Sequence, residues 1–287
     1  MTNVRLNLNY FYSTISDGNM NTNPKFYKEG MTREEIKQDF TKRRICLGEQ
    51  HGFSGLKILT PIQKSRPNLE GVTKAEKQSL LAKYNSKYPD GHYVRITEEM
   101  IEGYEDLYDL DIYSDILMIG ADLPKIALAY PVADCPVLFV EDTKNQVVAM
   151  AHCGGEYIDR SLPSQMIDSI REETDAKTED ISVVVGPYAH KDNFIYHGIP
   201  QWVHNFKVWS EAIVDTCGNF HVDMEMAIRN QLLKQGVYDS NIVFSDLDTI
   251  TDPRFYSNNR ARVHPEKAGR FYSGCFYNKC KEKCKTL

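Results

Sequence analysis

Five short apolar runs between residues 114 and 188 most restrict what this chain can become. They read SDILMIG, KIALAYPV, CPVLFVED, QVVAMAH and DISVVVGPY, and each is rich in β-branched or aromatic residues and bounded by turn residues. The links between the first four are too short to hold a crossover helix, so neighbouring strands must run antiparallel. The segment SLPSQMIDSIREET, before the fifth run, spaces Leu162, Met166, Ile167 and Ile170 as one helical face. Two later segments, IPQWVHNFKVWSEAI and VDMEMAIRNQLLKQGV, are helix-like, the second stopping at Gly236. Upstream, MTREEIKQDFTKRR carries a capping box at Thr32 and Glu35, acidic early and basic late residues. RICLGEQHGFSG then reads as a short strand ending in a Gly-flanked loop with His51. Strands and helices in this order predict an α/β (α+β) fold of mixed, largely antiparallel sheets with flanking helices.

A chain of 287 residues can bury a substantial core, and residues 1–287 read as one domain. Residues 61–109 read as an insertion, with a helix over TKAEKQSLLAKY and a turn into a strand at YPDGHYVRI. The net charge of −6 leaves no basic field for nucleic acid or an anionic membrane, and Lys42-Arg43-Arg44 reads as solvated surface. No run approaches the roughly 18 apolar residues of a membrane span. The opening residues lack the apolar centre of a leader, and seven cysteines is an odd number. A reducing cytoplasm, with thiols used singly, is the expectation.

The third and fourth runs form a hairpin whose open ends carry chemistry. If the turn is centred between Lys144 and Asn145, Cys135 faces residue 154 and His152 lies one diagonal away on the same face. Diagonal neighbours sit roughly 7–8 Å apart, close enough to share an ion or a reacting atom. A slip of one residue would place them on opposite faces. A buried thiol and a hydrogen-bonded imidazole are the ordinary outcome for such residues, and no CxxC or HExxH motif accompanies them. The tail thiols Cys275, Cys280 and Cys284 match no standard zinc module. His190, His197, His204 and His221 read as surface or capping residues.

The motifs, taken in order, resemble the laccase-domain family, also described as multicopper polyphenol oxidoreductases or purine nucleoside phosphorylases. EQHG, with His51, resembles the family's Gln-Val-His-Gly motif; SDILMIGADLPKIALAYPVADCPVLFVED resembles its ADC stretch; HCGG resembles the start of His-Ala-Gly-Trp-Arg-Gly. VVVGPY, MEMAIRNQLLKQGV, RFYSNNRA and AGRFYSGCFY follow in family order. The resemblance implies the layered fold of this family and of the cytotoxic necrotizing factor-like cysteine hydrolases. It implies a metal held by His51, Cys135 and His152, and Zn²⁺ suits two imidazoles, one thiolate and an open position. Copper is the alternative. It further implies a monomer acting on a purine nucleoside, by phosphorolysis with phosphate or by deamination of adenosine.

The chain departs from the pattern after His152, where the family's Trp-Arg is Gly155-Glu156, and again where Tyr-Arg is Asn258-Asn259. Glu156 becomes a candidate acid or base, Arg260 a candidate anion contact and Tyr188 a candidate stacking wall for a purine. Three alternatives to the zinc enzyme stand open. They are a copper-dependent polyphenol oxidoreductase, a Cys135–His152 hydrolase or deamidase, and a member that keeps a metal without catalysis.

Overall fold

A computed structural model describes residues 8–27, 29–63, 73, 75, 78–79, 82, 92–123 and 126–277. Thirteen strands are described: β1 (Leu8–Tyr12), β2 (Ile58–Leu59), β3 (Tyr93–Arg95), β4 (Ile116–Gly120), β5 (Ala127–Val132), β6 (Val137–Asp142), β7 (Val147–His152), β8 (Ile181–Val185), β9 (Ile195–Tyr196), β10 (Ile213–Thr216), β11 (Asn219–Val222), β12 (Ile242–Phe244) and β13 (Phe271–Tyr277). The helices are α1 (Arg33–His51), α2 (Glu98–Ile101), α3 (Gly155–Asp159), α4 (Leu162–Thr174), α5 (Phe206–Trp209), α6 (Met224–Lys234) and α7 (Asn258–Ala261). A six-stranded sheet runs β12-β8-β6-β7-β4-β3, a four-stranded sheet β1-β13-β5-β2, and a small one β10-β11-β9. Most pairings are antiparallel, with β12–β8, β2–β5 and β3–β4 parallel.

Alternation along the strands builds three cores. Val137, Phe139, Val148 and Met150 meet Leu128, Val132, Phe271 and Cys275 between the two larger sheets. Leu138, Val140, Ala149 and Ala151 point the other way, onto Met166, Ile167 and Ile170 of α4 and Ile228 and Leu232 of α6. Phe11, Ala129, Tyr272 and Phe276 cover the outer face of the four-stranded sheet and take Phe40 and Leu47 of α1. The layers are therefore helix, sheet, sheet, helix.

The β6–β7 register follows the sequence reading. Val137 pairs with His152 and Asp142 with Val147. Buried Asp142 holds the turn: its Oδ1 accepts from the Lys144 and Asn145 amides at 3.0 Å each, and its Oδ2 from Asn145 Nδ2 at 2.6 Å.

Three local expectations change. The strand expected at RICLGEQHG is the continuation of α1. The Thr32–Glu35 capping box starts the helix, and only Gly52, at φ 79°, stops it. Gly48 and Gly55 let its last turns touch the following backbone; a Cβ on Gly48 would lie 2.2 Å from the Gly55 nitrogen. Arg44 is buried, not solvated, paired with Asp106 at 2.7 Å and donating to the Ile58 carbonyl. The helix expected over IPQWVHNFKVWSEAI shrinks to α5. Buried Asp159 accepts from the His204 and Asn205 amides and from Trp209 Nε1, at 2.8–3.0 Å, and holds the segment as a loop. The helix expected over TKAEKQSLLAKY lies largely outside the described residues, as do Cys280 and Cys284. β3, within the expected insertion, closes one edge of the six-stranded sheet. Among the described residues no helix is long and apolar enough to cross a membrane.

Glu141 faces the interior between the sheets. One carboxylate oxygen accepts from Tyr277 Oη at 3.1 Å; the other has no partner among the described residues. Burial pushes its pKa up to about 7, opposed by the Tyr277 bond. The unfolded chain releases this proton near 4.5, the folded chain at about 7. The stability it contributes is full below the lower value and is lost as pH rises toward the upper one, by roughly 3 kcal/mol. Denaturant unfolding of Glu141→Gln should lack that loss between pH 4.5 and 7, the window set by these values. An unchanged pH profile in the variant would assign the loss elsewhere.

Candidate functional site

Cys135 precedes β6, directly after an aspartate held in a left-handed conformation. Asp134 has φ 80°, and its buried carboxylate offsets that strain. Oδ1 accepts from Thr249 Oγ1 at 2.8 Å and Oδ2 from the Asn259 amide at 2.7 Å, while its carbonyl takes the Ala189 amide at 2.9 Å. Burial raises the Asp134 pKa, and the bonds from Asn259, Thr249 and Ser257 oppose the rise. Three separated segments thus meet on the residue that aims Cys135.

His152 ends β7. A methyl group built on Gly154 would lie 3.1 Å from Cys135 Sγ and 3.3 Å from His152 Nε2, so thiol and imidazole face one point. Gly154 leaves that point open. On the far side of the ring, Gln63 Nε2 donates to the His152 carbonyl at 2.9 Å, which leaves Gln63 Oε1 to accept from Nδ1 at 2.9 Å. Nδ1 therefore carries the proton, and Nε2 presents a lone pair on the Cys135 side. Burial, with Arg270 adding to it, lowers the His152 pKa to about 4. Burial, then Asp134, pushes the Cys135 thiol up to about 12, and Arg270 opposes them. The resting pair is thiol and neutral imidazole.

Aromatic rings and one cation surround the pair. Tyr130 stacks on the imidazole at 4.8 Å and Tyr157 lies 5.6 Å away, tilted. β13 pairs Phe271 with Val132, and one step further the register sets Arg270 against Ala133, beside the Cys135 turn. Its guanidinium lies over Phe26 and donates to the Gly269 carbonyl at 2.7 Å. Burial lowers its pKa.

The remaining sequence candidates sit elsewhere. His51 ends α1 against Phe11 and Phe53, on the outer face of the four-stranded sheet, whereas Tyr130 and the pair lie on its inner face. The sheet stands between His51 and the thiol, so the expected trio is not assembled. Among the described residues no three His, Cys, Asp or Glu side chains converge to hold a metal ion. The donors present, one thiol and one imidazole, fall short of a three-ligand zinc or copper centre. Glu156, the candidate acid or base, points to solvent and pairs with Arg160 at 2.7 Å. Arg260 is spent on the Ile250, Asp252 and Phe255 carbonyls. Tyr188 is buried, bonded to Glu225 at 2.6 Å, and lines a different cavity with His190 and Arg229. Cys275 is buried in β13.

Four residues at or beside the pair escaped the sequence reading as site residues: Gln63, Tyr130, Tyr157 and Arg270. The Arg270 position could have been found by extending the β5–β13 pairing; Gln63, 89 residues from His152, left no local signal. Trp202 is also unforeseen. Its indole fills the space beside Gly155, where a Cβ would come within 2.7 Å of the ring.

The model of the family described as multi-copper polyphenol oxidoreductase laccase matches residues 106–277, more than half of the chain and all of the hairpin. The chain belongs to this family. Its fold is shared with solved structures at low identity. The Bacillus licheniformis hypothetical protein YfiH is 16% identical with TM-score 0.67, over 94% of this chain and 93% of that one. YlmD from Geobacillus stearothermophilus is 18% identical with TM-score 0.69, over 95% and 92%. The Neisseria meningitidis protein NMB0706, described as DUF152, is 18% identical with TM-score 0.58, over 91% and 86%. None of the curated proteins matches. The mixed sheets with flanking helices are those of the laccase-domain fold.

Asp134→Ala removes the carboxylate's bonds to Thr249, Asn259 and Ser257 and leaves a β-carbon in the left-handed region without compensation. We expect a loss of about 3 kcal/mol in denaturant unfolding and faster alkylation of Cys135. A loss below about 1 kcal/mol would show that the turn is held by other contacts.

Proposed function

We propose that this chain is an enzyme acting on purine nucleosides, with Cys135 and His152 as its reacting centre. The single observation that carries the reading is the point above Gly154 faced by both Sγ and Nε2. The Tyr130 and Tyr157 rings beside it suit a planar base, and Arg270 suits an anion such as phosphate.

In phosphorolysis a phosphate oxygen attacks the ribose C1′, the bond from C1′ to the base breaks, and the base leaves with a proton. Arg270 would hold the phosphate. Nε2, unprotonated at neutral pH, would take the proton of a phosphate monoanion as it attacks and pass it to the departing base. In deamination of adenosine the same lone pair would take a proton from water attacking the amino-bearing carbon of the base and return it to the amino group, which leaves as ammonia when its bond to that carbon breaks. Zinc or copper, expected from the resemblance, would supply Lewis acidity or redox chemistry, but among the described residues the two donors do not make the expected site.

A second reading has one observation in its favour. The Gln63 bond to Nδ1 orients a base beside a thiol, the arrangement of a nucleophile, a base and an orienting group. Cys135 would then lose its proton to Nε2 and attack a carbonyl; the amine or alcohol would leave with that proton as its bond to the carbonyl carbon breaks, giving a thioester that water hydrolyses.

Adenosine, inosine and methylthioadenosine, each with and without phosphate, test the first reading by product analysis. Cys135→Ala and His152→Ala should each lose at least about 100-fold in kcat/KM. Arg270→Met should raise the KM for phosphate by about tenfold or more. No turnover of any nucleoside by the native chain, or turnover untouched by both Cys135→Ala and His152→Ala, would sink it. Burst release of one product with an amide or ester substrate, lost only with Cys135, would favour the second reading.

A further inference from the structure

Tyr130 has a second role. While its ring stacks on His152, the residue also helps line a cavity of about 490 Å³ at the end of the four-stranded sheet. That volume lies in the range of small-molecule sites, roughly 300–1,000 Å³. Four aromatic residues, Phe40, Tyr108, Tyr130 and Tyr272, line it, with Met20 and Ile62 among its other apolar residues.

We propose that this cavity is a second ligand site, distinct from the Cys135–His152 centre, for a planar aromatic molecule that is neutral or positively charged. The rings are held before any ligand arrives. Tyr108 packs edge-on to Phe40 at 4.8 Å, and its hydroxyl is fixed by Thr22 Oγ1 at 2.8 Å. The buried Arg44 guanidinium lies 5.4 and 5.3 Å from the centres of those two rings. Thr60 bonds to Tyr272 and donates to the Ala129 carbonyl at 2.8 Å. Fixed rings lose little entropy on binding a flat ligand.

Charge sets the ligand class. No cation is among the lining residues, while Asp109 and Asp111 are. Lys37 neutralises Asp109 at 2.9 Å, which leaves the mouth with one carboxylate in excess, on exposed Asp111. An anion is repelled there, whereas Arg270 attracts one at the Cys135–His152 centre. The two sites stand on either side of Tyr130 with opposite charge preference. This inference does not depend on the nucleoside reading, because neither Cys135 nor His152 lines the cavity.

Three probes of similar size test it on the full chain by isothermal titration: benzamidine as a planar cation, indole as a neutral ring and benzoate as an anion. Benzamidine and indole should bind, and benzoate at least tenfold more weakly. Thr60→Trp, which fills the cavity, should weaken indole and benzamidine at least tenfold, while Cys135→Ala leaves both unchanged. Thr22→Trp, at the mouth, should act as Thr60→Trp does and serves if the latter fails to fold, as judged by thermal unfolding. Benzoate binding as tightly as benzamidine overturns the charge assignment. No binding of indole or benzamidine, binding untouched by both tryptophan variants, or binding lost in Cys135→Ala overturns the site.

Discussion

The pairing register of β6 and β7 is the constraint on which the chemistry depends. Residues on a strand alternate between faces, so one step of slip would send Cys135 and His152 to opposite sides of the sheet. The turn prevents that slip. Asp142 saturates its carboxylate with the amides of the turn and with the Asn145 side chain, so the hairpin closes in one way. The same pairing that hides Phe139 and Met150 between the sheets puts the thiol and imidazole at the open end of that interface.

Two further buried carboxylates fasten distant segments around this end. Asp134 gathers the chain near Thr249 and Asn259 behind the thiol, and Asp159 fixes the loop from His204 to Trp209 beside α3. Both work by accepting several hydrogen bonds at once, the condition under which burying an acidic group is tolerable. A loop-built site gains rigidity this way. Gln63 does the same for the imidazole, setting its tautomer from outside the hairpin.

Apolar β-rich runs bounded by turn residues made the central strands legible in the sequence, and helical spacing the α4 face; the order of the strands was not legible, since β4 joins β7 rather than β5 and β5 lies in the other sheet. The hairpin register rested on a turn assumed to centre between Lys144 and Asn145, and the structure has that register, Val137 opposite His152. The end of α1 was not legible, because no local feature distinguishes Arg44–His51 as helix from the same residues as strand until Gly48 is packed on Gly55. His51 shows the limit of motif matching. Its flanking Gly and Gln suggested a ligand loop, yet tertiary packing put it behind a sheet. The contacts that define the site, Gln63 on His152 and Arg270 beside Cys135, join residues far apart in the chain and can be read only once the sheets are stacked.

The close fit of Trp202 against Gly155 has an evolutionary corollary. A bulky side chain and a glycine have been divided between two positions that occupy one volume, so neither can enlarge unless the other recedes. Among relatives, the identities at these two places should rise and fall as a complementary couple, and a chain bulky at both would need a displaced loop.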